Sequence, residues 1–370
     1  IKLLEITLML IAAIAFASGS YAALLFVLFL MGCQSTLFGP VKYAYLPQQL
    51  ETHELIGGNA LVEAGTYIAI ILGLIVGGVT VAVSPDSQTL IGGCLVAVAI
   101  LGYLASRRIP LTRAVDPGLT VNWNAWSETW RIVGFAREKR DVFLSILGIS
   151  WFWFFGSAMT LQLPAYTLVI LNGNESITTA LLVSFAIGVG LGSLLCERMS
   201  GHRIELGLVP FGSIGLSLFA IDLYFAQPVA AVASVTTIGE FIGRPGSLRV
   251  LADVLLLGAF GGFYSVPLYA LIQQRSERKH LSRIIAANNF INALFMVVAS
   301  LLSIAVLGMG LSIPELFIVL ALLNALVAVY IYTLLPEFLM RFLAWILVNT
   351  IYRVRPRGTE NIPEKGPAVV

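Results

Sequence analysis

Ten apolar runs, each close to the length of a membrane-crossing helix, occupy most of this chain. Such a helix needs about 20 apolar residues, because each residue advances it by about 1.5 Å across the hydrocarbon core. The runs cover approximately residues 3–18, 21–38, 60–83, 88–106, 142–165, 178–196, 204–225, 249–272, 284–308 and 313–335. Lipid offers no hydrogen-bond partner to an open backbone, so each run is predicted to be a helix. The predicted fold class is therefore an all-α membrane protein.

Composition excludes the main alternatives. Hydrophobic residues make up 58% of the chain and charged residues 11%, whereas soluble domains carry about a quarter charged residues. The net charge of +2 gives no reason to expect nucleic acid as a partner. Cys33, Cys94 and Cys196 are scattered through apolar runs, without the spacing of a disulfide framework or of metal ligands. We expect no metal and no cofactor.

The basic residues predict which side of the membrane each loop faces. If the first run starts in the cytoplasm and the runs alternate, every Lys and Arg falls on the cytoplasmic side except Arg244 and Arg249. This is a strong positive-inside bias. It supports the count of ten runs and predicts a multi-pass membrane protein with its C-terminal tail in the cytoplasm.

The longest loop divides the runs into four and six. We predict a first half at 1–106, a cytoplasmic loop at 107–141, a second half at 142–335 and a tail at 336–370. Within the loop, Trp126, Trp130 and Val133 recur at helical spacing beside several cations. This pattern is typical of a helix lying in the membrane interface, although an ordinary linker helix would also fit.

Two segments resemble each other about 225 residues apart. Gly39-Pro40 matches Val266-Pro267, the stretch 45–49 matches 269–274, and each segment is followed by a short charged loop and an asparagine, Asn59 or Asn288. Both segments end one run and begin the next on the same side, as parallel repeats do. Two such halves around a long central loop resemble the six-plus-six helices of the major facilitator superfamily. That architecture implies twelve spans, two of them before Ile1.

The first of these segments carries a more specific resemblance. The sequences "GPVKY" (residues 39–43) and "NALVE" (residues 59–63) resemble the segment between the fourth and fifth helices of the bacterial lysophospholipid transporter family. Pro40 and Pro47 are expected to end the preceding helix, since proline lacks the backbone donor. We predict that Lys42 and Glu63 pair, or cap exposed carbonyls, in an inner gate; the alternative is that both only anchor the helix ends. The predicted gating residues are Pro40, Lys42, Tyr43, Asn59 and Glu63.

A lysophospholipid substrate calls for uncharged polar side chains near mid-span, beside aromatic walls. Gln162 interrupts the fifth run, and three asparagines open the ninth. Helix association and interfacial capping are the alternatives for these amides. In "WFWFF", Trp151 and Phe155 share one face and could line the acyl chain or face lipid. The predicted substrate-binding residues are Gln162, Asn288, Asn289, Asn292, Trp151, Phe155 and Tyr264.

Carboxylates in the runs look shallow. Glu5 lies near Lys2, and Asp253 lies four residues after Arg249, where the two are expected to pair. Asp222 also lies near that face. We therefore favour interfacial ion pairs over a proton relay.

The tail "RPRGTENIPEKGPAVV" resembles the entry segment of glycerolipid acyltransferase domains. In that family a His-x4-Asp motif follows, and no histidine lies beyond His280 here. We expect no enzyme activity from these residues. Fusion to, or association with, an acyltransferase or acyl carrier protein synthetase is the expected partnership.

The sequence thus predicts a lysophospholipid transporter, which moves its substrate from the outer to the inner leaflet for reacylation. The substrate is expected to be lysophosphatidylethanolamine. Two alternatives stay open, namely a major facilitator transporter of another small solute and a membrane anchor for a downstream acyltransferase.

Overall fold

The computed structural model describes residues 1–83, 88–112, 124–200, 204–226, 237–334 and 336–352. Throughout these residues the fold is helical, with short connections. The acyltransferase-like stretch at 353–370 and part of the central loop, 113–123, lie outside the described residues.

Helices form at all ten predicted runs. The first half comprises α1 (Lys2–Ala17), α2 (Tyr21–Gln49), α3 (Leu55–Val83) and α4 (Gln88–Ser106). The central loop carries α5 (Ala125–Arg137). The second half comprises α6 (Arg140–Val169), α7 (Glu175–Met199), α8 (Leu208–Phe225), the short α9 (Ile238–Ile242), α10 (Ser247–Arg275), α11 (Leu281–Gly308) and α12 (Ile313–Leu334), and α13 (Pro336–Ile346) follows.

Nine helices in the described part of the chain are long and apolar enough to cross a membrane. The 16 residues of α1 make it shorter than these nine. Large apolar side chains point outward over much of the bundle; Leu301 and Ile304 of α11, for example, are 60% and 68% exposed. Apolar exposure on this scale suits lipid as the surrounding solvent.

The prediction that Pro40 and Pro47 end α2 was wrong. Both prolines lie inside the helix, which continues to Gln49, eleven residues beyond the predicted boundary at Phe38. A proline removes one backbone hydrogen bond, but neighbouring helices in a membrane protein can satisfy the carbonyl it frees. The carbonyl freed by Pro47 has such a partner, described below.

The second half is built around α10, which packs against α6, α7 and α8. Glycines make the closest of these contacts possible. A methyl group added to Gly192 of α7 would collide with the backbone of Ala259 on α10, and one added to Gly262 would collide with Ser193. Small residues that let helix backbones approach are typical of membrane interfaces.

The two halves meet through α2 and α3 on one side and α7, α10 and α11 on the other. We call the end of the bundle where α2 and α10 finish the basic end, because Arg107, Arg198, Arg275 and most other cations lie there. Along α3 and α7 the contact runs antiparallel from Gly57 beside Glu197 to Tyr67 beside Phe185.

Candidate functional site

The two segments predicted to be repeats face each other across the junction of the halves. The ring of Tyr43 on α2 stacks on the ring of Tyr269 on α10, with centroids 4.7 Å apart and planes within 1° of parallel. Both tyrosines are buried. Tyr43 lies six residues before the end of α2, about 9 Å from the basic end. The stack therefore lies inside the bundle, below the loops.

A pair of amides joins the halves beside this stack. The amide of Gln273 on α10 donates to Oδ1 of Asn59 on α3 at 3.1 Å, and Asn59 donates back to Gln273. Both side chains are buried. Each therefore satisfies the other in a setting where an unpaired amide would be costly.

The carbonyl freed by Pro47 belongs to the same site. Because Pro47 has no N–H, the carbonyl of Tyr43, four residues earlier, lacks its helical donor. Gln273 Nε2 donates to that carbonyl at 3.1 Å. A proline on one half thus creates an acceptor that a glutamine on the other half occupies. We call Tyr43, Asn59, Tyr269 and Gln273 the inter-half contact.

Glu63 is buried beside this contact, and its hydrogen-bond partner is Tyr43 rather than Lys42. The hydroxyl of Tyr43 donates to Glu63, whereas Lys42 donates to Thr66 at 3.4 Å and lies 4.7 Å from the centroid of the Tyr43 ring. Neighbouring residues on a helix point about 100° apart, so Lys42 and Tyr43 cannot face Glu63 equally. The Glu63 carboxylate therefore accepts a hydrogen bond from the Tyr43 hydroxyl, and Lys42 lies beside the Tyr43 ring.

Polar groups of the second half continue the site beyond Tyr269. Ser150 Oγ on α6 lies 2.7 Å from the Asn292 amide on α11. With the amide nitrogen of Asn292 turned toward Ser150, its oxygen accepts from Asn288 at 3.1 Å and from Trp153 at 3.3 Å. The Trp153 indole also lies 3.5 Å from the Tyr269 hydroxyl. The polar groups thus extend across the junction from Glu63 to Asn292.

Two further predicted residues border this site. Asn289 is half-buried, and its amide lies where a methyl group on Gly39 would be, so it contacts α2 beside Pro40. Asn288 is fully buried, and its Oδ1 has no hydrogen-bond partner among the described residues. An unsatisfied buried acceptor of this kind is rare in proteins. It gives the site an unused acceptor.

Four other predicted binding residues lie elsewhere. Trp151 donates to Asn324 at 2.9 Å inside the second half. Phe155 and Tyr264 are buried in the hydrophobic core of that half. Gln162 is half-buried on α6, twelve residues beyond Ser150 and thus about 18 Å along the helix. The sequence therefore identified much of the polar site, whereas these four residues are not gathered around it.

Tyr269, Gln273, Ser150 and Trp153 were missed as site residues. The repeat contained the signal for the first two, since both lie in the second copy. Nothing in one sequence shows that the two copies face each other.

The sequence allowed Asp253 to pair with Arg249, but the guanidinium makes its hydrogen bonds elsewhere. Arg249 binds Asp222 of α8 instead, through two hydrogen bonds, one of them 2.9 Å from Nε to Oδ2. The planar guanidinium matches both carboxylate oxygens of Asp222 across the helix pair. Asp253 is buried instead.

A cleft of about 680 Å³ opens on the basic side of the inter-half contact. Pro47 and Gln273 line its inner end, and His53, Ser276 and Arg278 line its walls. The inter-half contact separates this cleft from the polar groups around Asn292. The inter-half contact thus forms the inner wall of the cleft at the basic end.

Comparison with known proteins identifies the family. The model of the Major Facilitator Superfamily matches residues 3–255. The chain belongs to the major facilitator superfamily. A crystal structure of the Escherichia coli fucose:proton symporter FucP shares the fold, with a TM-score of 0.55 and 15% identity over 90% of this chain and 82% of that one.

Curated members of the superfamily are similar in sequence as well. The lysophospholipid transporter LplT of Escherichia fergusonii is 27% identical over 285 residues, and that of Escherichia coli O157:H7 is 27% identical over 260 residues. These alignments cover 75% and 67% of this chain. This major facilitator chain spans 66% and 58% of the lengths of those two relatives. Both relatives are named as transporters.

Proposed function

We propose that this chain forms the transport pathway of a lysophospholipid transporter. In this proposal the substrate is lysophosphatidylethanolamine, which moves from the outer to the inner leaflet of the bacterial inner membrane. The observation that carries the proposal is the inter-half contact, which closes one end of the bundle through separable polar contacts. The relatives named as lysophospholipid transporters support the choice of substrate.

The polar site suits the headgroup of such a lipid. Asn288 and Asn292 offer uncharged donors and acceptors, and Glu63 lies across the junction as a carboxylate that an ammonium group could approach. Carrying an acyl chain of roughly 16 carbons through water would cost on the order of 12 kcal/mol. The proposed route therefore shields the headgroup inside the bundle while the chain stays in lipid or between helices.

Closing and opening would alternate between the two ends. The proposal takes the basic end as cytoplasmic, in line with the positive-inside bias, and takes the present structure as a state closed toward the cytoplasm. Opening requires that Gln273 leave Asn59 and the Tyr43 carbonyl, and that the stacked tyrosines separate. The cleft below would then join the polar site and give the headgroup an exit. Acylation of the product by a fused or associated acyltransferase would keep the flow inward.

The test is transport by the full-length protein in proteoliposomes. Labelled lysophosphatidylethanolamine placed in the outer leaflet should become protected from an external lipid-binding protein faster than in empty vesicles. The Asn292→Ala variant should slow this movement, whereas Ser282→Ala, at an exposed position on the same helix, should not. Parallel Gln162→Ala measurements test whether the more distant amide belongs to the route.

The outcomes separate this proposal from its alternatives. Competition by a soluble sugar, drug or metabolite, without lipid movement, would identify another small solute as the cargo. If no cargo moves but the full-length protein still acylates supplied lysolipid, the chain would act as a membrane anchor for an acyltransferase. Either result would overturn the proposal.

A further inference from the structure

We infer that α5 and the loop between α10 and α11 together bind the headgroups of anionic phospholipids at the basic end. We call Trp126, Trp130, Arg278 and Lys279 the α5 surface. The inference does not depend on what the transporter carries.

The exposed face of α5 is aromatic. The helix begins at Asn124, whose side chain accepts a hydrogen bond from the backbone of Ser127. Trp126 and Trp130 follow one turn apart, are 74% and 60% exposed, and touch edge to face with centroids 6.0 Å apart. Two adjacent exposed indoles favour the headgroup layer of a bilayer, which accommodates both their apolar rings and their N–H groups.

The opposite face of α5 is fixed to the start of α11. Phe135 stacks on His280 with centroids 4.3 Å apart. The guanidinium groups of Arg131 and Arg283 lie 5.7 and 5.4 Å from the centroid of the same phenyl ring. This attachment holds α5 level with the beginning of a membrane-crossing helix. The tryptophans are therefore held at the depth of the headgroups rather than on a free loop.

Charge selects the occupant of this surface. Segments 124–141 and 275–283 together contain eight Lys or Arg residues and four Asp or Glu residues. Some cations are engaged, as Arg275 is with Asp141 at 3.8 Å, but Arg278 and Lys279 are exposed. An excess of positive charge beside interfacial aromatics is complementary to anionic lipid. Each such cation near a membrane surface contributes about a fivefold preference for anionic lipid.

The loop also connects this surface to the inter-half contact. Arg278 lies five residues after Gln273, and the last residues of α10 and the start of the loop separate them. Lipid bound to the loop would therefore contact the segment that closes the basic end.

The test uses the full-length protein in vesicles of phosphatidylcholine with phosphatidylglycerol, and electron paramagnetic resonance of spin-labelled lipids. The wild type should prefer phosphatidylglycerol over phosphatidylcholine, and added salt should weaken the preference. The double variant Arg278→Gln and Lys279→Gln should lower it at least fivefold. The matched variant Arg107→Gln and Arg108→Gln removes two exposed charges at the same end, after α4 and away from the tryptophans, and should lower it less than the first variant does.

A second measurement does not depend on these variants. Lipid nitroxides at the headgroup level should quench wild-type tryptophan fluorescence, and Trp126→Phe with Trp130→Phe should remove most of that quenching. Equal effects of the two charge variants would overturn the inference. The inference would also be overturned if headgroup nitroxides did not quench Trp126 and Trp130, since α5 would then face water or another protein.

Discussion

Replacing Gln273 by leucine should open the basic end, because this one side chain makes three of the hydrogen bonds between the halves. It donates to Asn59 and to the carbonyl of Tyr43, and it accepts from Asn59. A side-chain hydrogen bond between membrane helices contributes about 0.6 kcal/mol on average. Losing three should cost the closed state about 2 kcal/mol, which corresponds to roughly a 30-fold shift toward the open state. The stack of Tyr43 on Tyr269 stays in place, so the contact should weaken without disappearing.

The assay is a distance measurement between spin labels on the two halves. Thr52→Cys and Glu277→Cys place one label on each half, at exposed positions just after α2 and α10. The accessible native cysteines are replaced by serine. The Gln273→Leu protein should show a larger population at long distances than the parent. Gln274→Leu, the exposed neighbour on the same helix, should keep the parent distribution. A Gln273→Leu distribution identical to that of the parent would refute the assignment of these hydrogen bonds as the closing contact.

Three further predictions test packing and the polar site. Gly192→Leu should destabilise the protein by about 3 kcal/mol or more, because the side chain would collide with the backbone of α10. Gly73 has open space around it, so Gly73→Leu should keep the melting temperature within a few degrees of the wild type. Tyr43→Phe keeps the aromatic stack but leaves the buried carboxylate of α3 without its donor, so stability should fall by about 1–3 kcal/mol and transport per folded protein several-fold. An unchanged transport rate would count against a role for that hydroxyl. Asn292→Leu and Ser150→Ala should not be additive in a double-mutant cycle of stability, with a coupling of about 0.6 kcal/mol, and additivity would show that their 2.7 Å contact contributes nothing.

Hydropathy predicted the helices well because lipid imposes both length and helical structure. The run at 88–106 coincides with α4, and most other ends differ by a few residues. The larger errors lie where polar sequence continues inside the bundle. The prolines and glutamines before Leu50 resemble a helix end, yet α2 continues through them, because the second half supplies the missing hydrogen bond. A partner supplied by distant sequence is invisible to a local pattern.

The polar site was partly predictable for a similar reason. Glu63 and Asn292 stood out because such side chains are rare in membrane-crossing runs. Their partners depend on how each helix is rotated and on how the two halves meet. Neither can be deduced from a single sequence. A rotation of about 100° decides whether Lys42 or Tyr43 faces Glu63, and the structure places the phenol there. Trp151 was misleading because an indole in a span fits a core hydrogen bond as well as a binding surface.

The most direct test of the account is a reversible cross-link across the inter-half contact. The central claim is that Asn59 and Gln273 must separate for substrate to leave the bundle at the basic end. Asn59→Cys and Gln273→Cys can be joined by a short cleavable thiol reagent in the reconstituted full-length protein. The account predicts that joined protein does not move lysophosphatidylethanolamine, and that reduction restores movement to the rate before cross-linking. Undiminished movement while the two positions stay joined would contradict it.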